Sequence, residues 1–97
     1  MSGLDERVHH PVRLQLCALL NAVDEVEFAF ARQQIGVADS VLSKHAKALE
    51  EAGYLIARKG LSAGRRRTWF AFTATGRRAF AEHIQELQRL AGGSIPR

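Results

Sequence analysis

The sequence predicts a small α+β domain, mostly helical, in which a three-helix core carries a β-hairpin and a further C-terminal helix. Three observations point there. Two short helical patterns are separated only by Gly36, Val37, Ala38 and Asp39, a four-residue turn containing glycine. Two strand-like runs enclose a glycine-bearing basic stretch at residues 60–67. Apolar residues at helical spacing bracket these features at both ends of the chain.

The elements follow in order. Residues 1–10 read as a loose polar tail. Pro11 suits the first position of a helix, where its missing N–H costs nothing. Val12, Leu16, Leu19, Leu20 and Val23 then form one apolar face, and Leu14, Cys17 and Ala18 a second. A helix apolar on both sides needs cover on both. Residues 24–28 alternate as a short strand, and residues 30–35 form a short helix closed by Gly36. Asp39 is placed to cap the next helix, residues 40–52, whose buried stripe is Leu42, Ala46 and Leu49 and whose end is Gly53. Residues 54–59 and 68–72 read as a hairpin joined by a loop of seven or eight residues, with Phe70 and Phe72 on one face. Thr73 caps a last helix running to about Leu90. Residues 92–97 read as a second tail, so that a single domain spans 11–91.

Composition narrows the function. A chain of 97 residues, 46% hydrophobic and 25% charged, suits one globular domain. A domain this small buries only roughly 60–65% of the surface of its unfolded chain, so a second subunit would help it. The formal charge of +4 favours polyanionic partners. A lone cysteine, Cys17, implies no disulfide framework. No apolar run reaches the ~18–20 residues of a membrane span, and residues 1–10 lack the apolar core of a signal peptide, so a soluble, cytoplasmic protein without a membrane partner is expected. No phosphate loop, nucleophile elbow, metalloprotease helix or paired inward carboxylates occur, which points away from an enzyme, and no cofactor is expected. His9, His10, Cys17 and His83 lack the spacing of a closed metal site, so no metal is expected either. A thiol on an apolar face, such as Cys17, is a poor redox sensor.

The order of elements is that of a winged helix-turn-helix. Residues 39–55, DSVLSKHAKALEEAGYL, resemble the recognition helix and following strand of MarR- and ArsR-type transcription regulators. Residues 64–77, GRRRTWFAFTATGR, are similar to the wing, third strand and last-helix start of the same group. More narrowly, both resemble small stand-alone winged helix DNA-binding proteins that are MarR-like and carry no effector domain. The resemblance spans nearly the whole chain. It implies a prokaryotic regulator, a repressor, that binds double-stranded DNA as a homodimer. No residue supports a small-molecule effector.

With Leu42, Ala46 and Leu49 turned inward, Ser40, Val41, Ser43, Lys44 and Lys47 fall on or beside the outward face. Lysine can reach guanine or phosphate, serine bases or backbone, and valine a thymine methyl. The alternative is an ordinary solvated helix face. The resemblance adds His45 to the DNA contacts, whereas its place beside the buried stripe fits a packing role equally well. Between residues 58 and 67 lie Arg58, Lys59, Arg65, Arg66 and Arg67 and no acid, and of these Arg58, Arg65, Arg66 and Arg67 are the expected DNA contacts. Arg65, Arg66 and Arg67 at a flexible hairpin tip suit a minor groove or its phosphates better than they suit a solubilising loop. Trp69 and Phe70 read as packing residues. In related regulators the terminal helices pair about a two-fold axis, which assigns Val12, Leu16, Leu20, Phe80, Ile84 and Leu87 to a dimer interface. The alternatives in other classes are a winged helix that binds RNA and one that serves as a protein-interaction module.

Overall fold

A computed structural model describes residues 5–92. The chain forms α1 (Pro11–Ala22), β1 (Val26–Glu27), α2 (Phe28–Ile35), α3 (Asp39–Glu51), β2 (Leu55–Ser62), β3 (Arg65–Phe72) and α4 (Ala74–Leu90). The three strands make one antiparallel sheet in the order β1-β3-β2. This is the predicted winged helix.

Pro11 opens α1, and the His10 imidazole caps it by accepting the Val12 N–H at 3.1 Å. Leu16, Cys17 and Leu20 are wholly buried, while Leu14 and Leu19 lean on the same core. Gly36, at φ +80°, ends α2 in the left-handed conformation that glycine adopts without a Cβ penalty. On α3 the buried residues are Leu42, His45, Ala46 and Leu49, one face at i, i+3, i+4 and i+7. Helix α3 begins one residue earlier than expected: Ala38 is the cap, and Asp39 lies inside the first turn. There its carboxylate favours the positive helix end and accepts from Arg32 Nε at 3.0 Å, an exposed pair worth little by itself. Gly53, at φ +82°, closes α3, with the Tyr54 N–H returning to the Leu49 carbonyl at 2.9 Å.

The hairpin is tighter than the sequence suggests. Leu55 pairs with Phe72 and the ladder runs unbroken to Ser62 opposite Arg65, leaving only Ala63 and Gly64 as the turn. Both have positive φ, +54° and +76°, as a two-residue turn matched to strand twist requires. Apart from Leu61 and Thr68, the outer half of each strand carries only lysine, arginine, glycine and serine, which hid the period-two signal. Thr73 caps α4 as expected, accepting the Gly76 N–H at 2.9 Å and donating to the Gly53 carbonyl at 2.6 Å.

Three expectations are corrected. Residues 5–10 are not a loose tail: Val8 is fully buried, the Tyr54 hydroxyl donates to Asp5 at 2.5 Å, and Arg7 lies over the Tyr54 ring. Leu16, Leu20 and Phe80 cannot form a dimer interface, because their own chain buries them. The two apolar faces expected of α1 are largely covered within the chain: Leu16 and Leu20 of one and Cys17 of the other are buried and Leu14 and Leu19 pack on the core, while Val23 and Ala18 stay exposed. Of the assigned interface residues only Val12, Ile84 and Leu87 keep partial exposure. The expected tail at 92–97 lies, apart from Gly92, outside the described residues.

Gly76 is the tightest point of the packing. A Cβ there would stand 2.1 Å from the Tyr54 carbonyl oxygen and 2.8 Å from its carbon, both backbone atoms that cannot swing away. Gly76→Ala should therefore cost about 3 kcal/mol. That corresponds to a fall in melting temperature on the order of 10–20 °C by circular dichroism. A melting point within two or three degrees of wild type (on the order of 0.5 kcal/mol) would contradict this packing.

Candidate nucleic-acid interface

Helix α3 is held by one face, so its other face is free. Ser40, Val41, Ser43, Lys44 and Lys47 are all exposed, with Val41 at 37%. Glu50 and Glu51 are also exposed, at the C-terminal end. The exposed face of α3 therefore carries its lysines mid-helix, at Lys44 and Lys47, with Asp39 of the first turn paired to Arg32 and acids again in the last turn. Phosphates are attracted to the lysine-bearing part and repelled from the C-terminal end.

His45 does not belong to this face. It is 4% exposed, its Nδ1 accepts from Arg13 Nε at 3.0 Å, and its ring lies 4.2 Å from that of His10. Burial first, then the charges of His10, Arg13 and Lys44, hold its pKa below the ordinary value. His45 is thus a neutral anchor inside the domain, and its expected DNA contact is withdrawn.

The wing divides its cations into two sets. Phe70 and Phe72 face the core, so by alternation Thr68 and Arg66 share their side of β3, and Arg65, Arg67 and Trp69 point the other way. Arg58, opposite Trp69, lies with its guanidinium 4.3 Å from the indole centroid and pairs with Glu25 at 2.7 Å. Arg67 pairs with Glu27 at 2.9 Å and is half-buried, its Nε enclosed with no partner among the described residues. Both arginines bind the wing to the β1 segment. Lys59, Arg65 and Arg66 are exposed and have no ion pair among the described residues. The triplet at 65–67 is therefore brought together in sequence and separated in role.

Lys59 is absent from the sequence-derived contact set. Its signal was the acid-free run at 58–67, but only strand register reveals that Lys59, Leu61 and Arg66 share one side. These residues rim a groove of about 590 Å³ between the wing and the start of α2, which Phe28, Thr68 and Glu27 complete. Leu61 is 72% exposed there, the most exposed large apolar side chain described.

Among the described residues no three His, Cys, Asp or Glu side chains converge as a metal ion would need. Burial pushes the Cys17 thiol up to about 12, so no thiolate forms near neutral pH. No described helix is long and apolar enough to cross a membrane.

Comparison with known proteins agrees with this geometry. A family model described as "Winged helix DNA-binding domain" matches residues 12–91. An uncharacterized protein of Methanocaldococcus jannaschii is 34% identical over 80 residues, covering 82% of this chain and 87% of its own. The solved transcriptional regulator homologue from Pyrococcus horikoshii superimposes with a TM-score of 0.83 at 22% identity, over 90% of this chain and 86% of that one. The PcaV transcriptional regulator of Streptomyces coelicolor, solved with its natural ligand, gives 0.77 at 18% identity over 91% of this chain but only 61% of its own. The family is one of DNA-binding domains and not of enzymes. From the helix-turn-helix, the hairpin wing and the match across 12–91, the chain belongs to the winged helix DNA-binding domain family.

Proposed function

We propose that the protein is a homodimeric transcription regulator, a repressor by occupancy, that places the first two turns of α3 in the major groove of duplex DNA and its wing on the adjacent backbone or minor groove. The observation that carries this reading is the set of exposed wing cations Lys59, Arg65 and Arg66, without an ion pair among the described residues, accompanying the exposed face of α3. Ser40, Val41, Ser43, Lys44 and Lys47 are the base- and phosphate-contacting residues. The N-terminal part of a recognition helix is the part that meets base edges. Glu50 and Glu51 keep the other end off the phosphates. Arg58 and Arg67 hold the wing in position through Glu25 and Glu27.

A second copy supplies the other half-site, roughly 34–36 Å away along the duplex. What supports the dimer is the apolar surface left on the terminal helices: Val12, Ile84 and Leu87 half-exposed, Val23 and Leu90 more so.

The wing and the helix are separable by salt. Replacing Lys59, Arg65 and Arg66 with alanine should lower the slope of log K against log salt by up to about three, and weaken all sequences alike. Arg67→Ala should instead lower thermal stability and change the slope by less than about one. An unchanged slope in the triple variant would remove the wing from the interface.

Ser43→Ala or Lys44→Ala should change which duplexes are selected from a random pool. Each lost base contact is worth about 1–3 kcal/mol. Selection that returned the wild-type motif at wild-type strength from both variants would contradict the reading of α3. Structured RNA outcompeting duplex DNA at physiological salt would overturn the choice of nucleic acid.

Leu87→Glu should dissociate the dimer in sedimentation equilibrium while leaving the circular dichroism of the fold intact. A wild-type protein that sediments as a monomer at tens of micromolar, on the order of the range where stable dimers persist, would end the two-half-site scheme.

A further inference from the structure

All four histidines of the chain fasten one segment. His9 and His10 lie side by side in residues 5–10, and each takes one histidine from the body of the domain. His9 Nδ1 lies 3.1 Å from Nε2 of His83 on α4, and the His10 ring lies 4.2 Å from that of His45 on α3. His83 is wholly buried and His45 nearly so.

The hydrogen bonds fix which nitrogen carries the proton. Nδ1 accepts the Val12 N–H in His10, the Arg13 Nε–H in His45 and the Asp5 N–H in His83, at 3.1, 3.0 and 3.0 Å. A neutral imidazole that accepts at Nδ1 holds its hydrogen on Nε2. His83 Nε2–H therefore donates to Nδ1 of His9. Every Nδ1 in the molecule is an acceptor, and adding a proton to any of them sets donor against donor.

The surroundings offer little compensation. Around His45 stand His10, Arg13 and Lys44, all nitrogen bases or cations. Around His83 stand His9 and Asp5, with Glu82 its neighbour in the chain. Among the described residues Asp5 is the one carboxylate that acts on His83, and its oxygens are already engaged by the Tyr54 hydroxyl and Arg7. Cys17, also beside Asp5 and Arg13, stays a neutral thiol. Burial foremost, then the facing histidine, holds His83 below the ordinary histidine value, as it does His45.

We propose that the two histidine pairs form a proton-released clamp: they dock residues 5–10 across α3 and α4 at neutral pH, and they let go as the medium turns acid. His45 is then a positioning residue. Through His10 and Arg13 it ties the inner side of α3 to α1 and to the segment, so release loosens the helix whose outer side is exposed. A histidine whose pKa is lowered in the docked state binds protons better when released. Docking is thus full above the ordinary value of 6.5 and weakens as pH falls below it. Each imidazole that takes up a proton adds about ten-fold per pH unit to the release equilibrium. Any consequence for DNA binding rests on the function proposed above; the clamp itself does not.

The test uses the free protein. Val8 and His9 donate their amides to the Asp5 carbonyl at 2.9 and 2.8 Å, so their hydrogen exchange reports docking. Protection factors, corrected for intrinsic rates, should fall at least about ten-fold between pH 7 and pH 5, while Leu20 in α1 stays protected. The backbone shifts of Lys44–Ala46 should move over the same range. In His45→Gln/His83→Gln the amide oxygens can still accept from Arg13 and Asp5 but cannot titrate, and protection should lose most of its pH dependence. Flat protection in wild type, or an undiminished pH response in the double variant, would overturn the proposal. Should the double variant fail to fold, nitrogen-15 spectra of the wild-type imidazoles decide. Protonation of His45 and His83 that leaves Val8 and His9 protected would overturn it equally.

Discussion

The architecture depends on gripping α3 from one side only. A helix that must offer a polar face to a partner can be stabilised only through the opposite stripe, here Leu42, Ala46 and Leu49 with His45 beside them. Full burial of each leucine contributes roughly 1.5–3 kcal/mol, modest support for a thirteen-residue helix. The ends supply the rest of the positioning. Gly53 turns the chain so that Tyr54 bonds back to Leu49, and Tyr54 is in turn the backbone against which Gly76 of α4 closes. The last turn of α3, the first residue before β2 and the first turn of α4 thus form one rigid corner. From that corner β2 leaves toward the wing, so the placement of the wing relative to α3 is set by backbone contacts rather than by flexible side chains.

The wing shows how a charge cluster acquires structure. Five cations in ten residues would repel one another on an isolated hairpin. The sheet resolves this by bringing Glu25 and Glu27 of the β1 region to Arg58 and Arg67, and by laying Arg58 over Trp69. The exposed Arg58–Glu25 pair is weak by itself, and the half-buried Arg67–Glu27 pair is more sheltered from solvent. Their effect is to orient the hairpin and to leave its free charge at Lys59, Arg65 and Arg66. Had all five cations been paired, the wing would carry no net attraction for a polyanion.

The helices were legible because apolar residues recur at helical spacing and recognisable residues bound them, Gly36 and Gly53 after α2 and α3 and Thr73 before α4. The face of α3 was legible for the same reason, since removing its apolar stripe leaves Ser40, Val41, Ser43, Lys44 and Lys47. What the sequence hid was whatever depends on pairing across distance. The turn at Ala63 and Gly64 escaped notice because Ala63 pays a left-handed penalty that few residues accept, and its strands are polar where a strand signal is sought. The division of the arginines required the register of β3 against both neighbours. The burial of Leu16, Leu20 and Phe80 followed from covers supplied far along the chain, so their apolarity was read as a need for a second copy.

The segment at residues 5–10 combines these lessons. Its composition, Asp5, Glu6, Arg7, Val8, His9 and His10, is that of a solvated tail, with one apolar residue to bury. It docks because a thin core leaves polar groups near the surface that need partners: the Tyr54 hydroxyl, the Arg13 guanidinium and the His83 ring. Burial and the Asp5 carboxylate raise the Tyr54 hydroxyl to about 12, whereas its bond and those from Arg7 outweigh burial and hold Asp5 below its usual value. That pair persists through neutral pH and weakens only in strong acid. The histidine contacts respond much closer to neutrality. Polar staples of this kind hold a small domain together without enlarging its core, and the cost is that its stability is tied to proton concentration through the groups chosen. Here those groups reach α3 on the face opposite its exposed residues, so the inner anchoring of the helix is pH-dependent while its outer face carries no histidine.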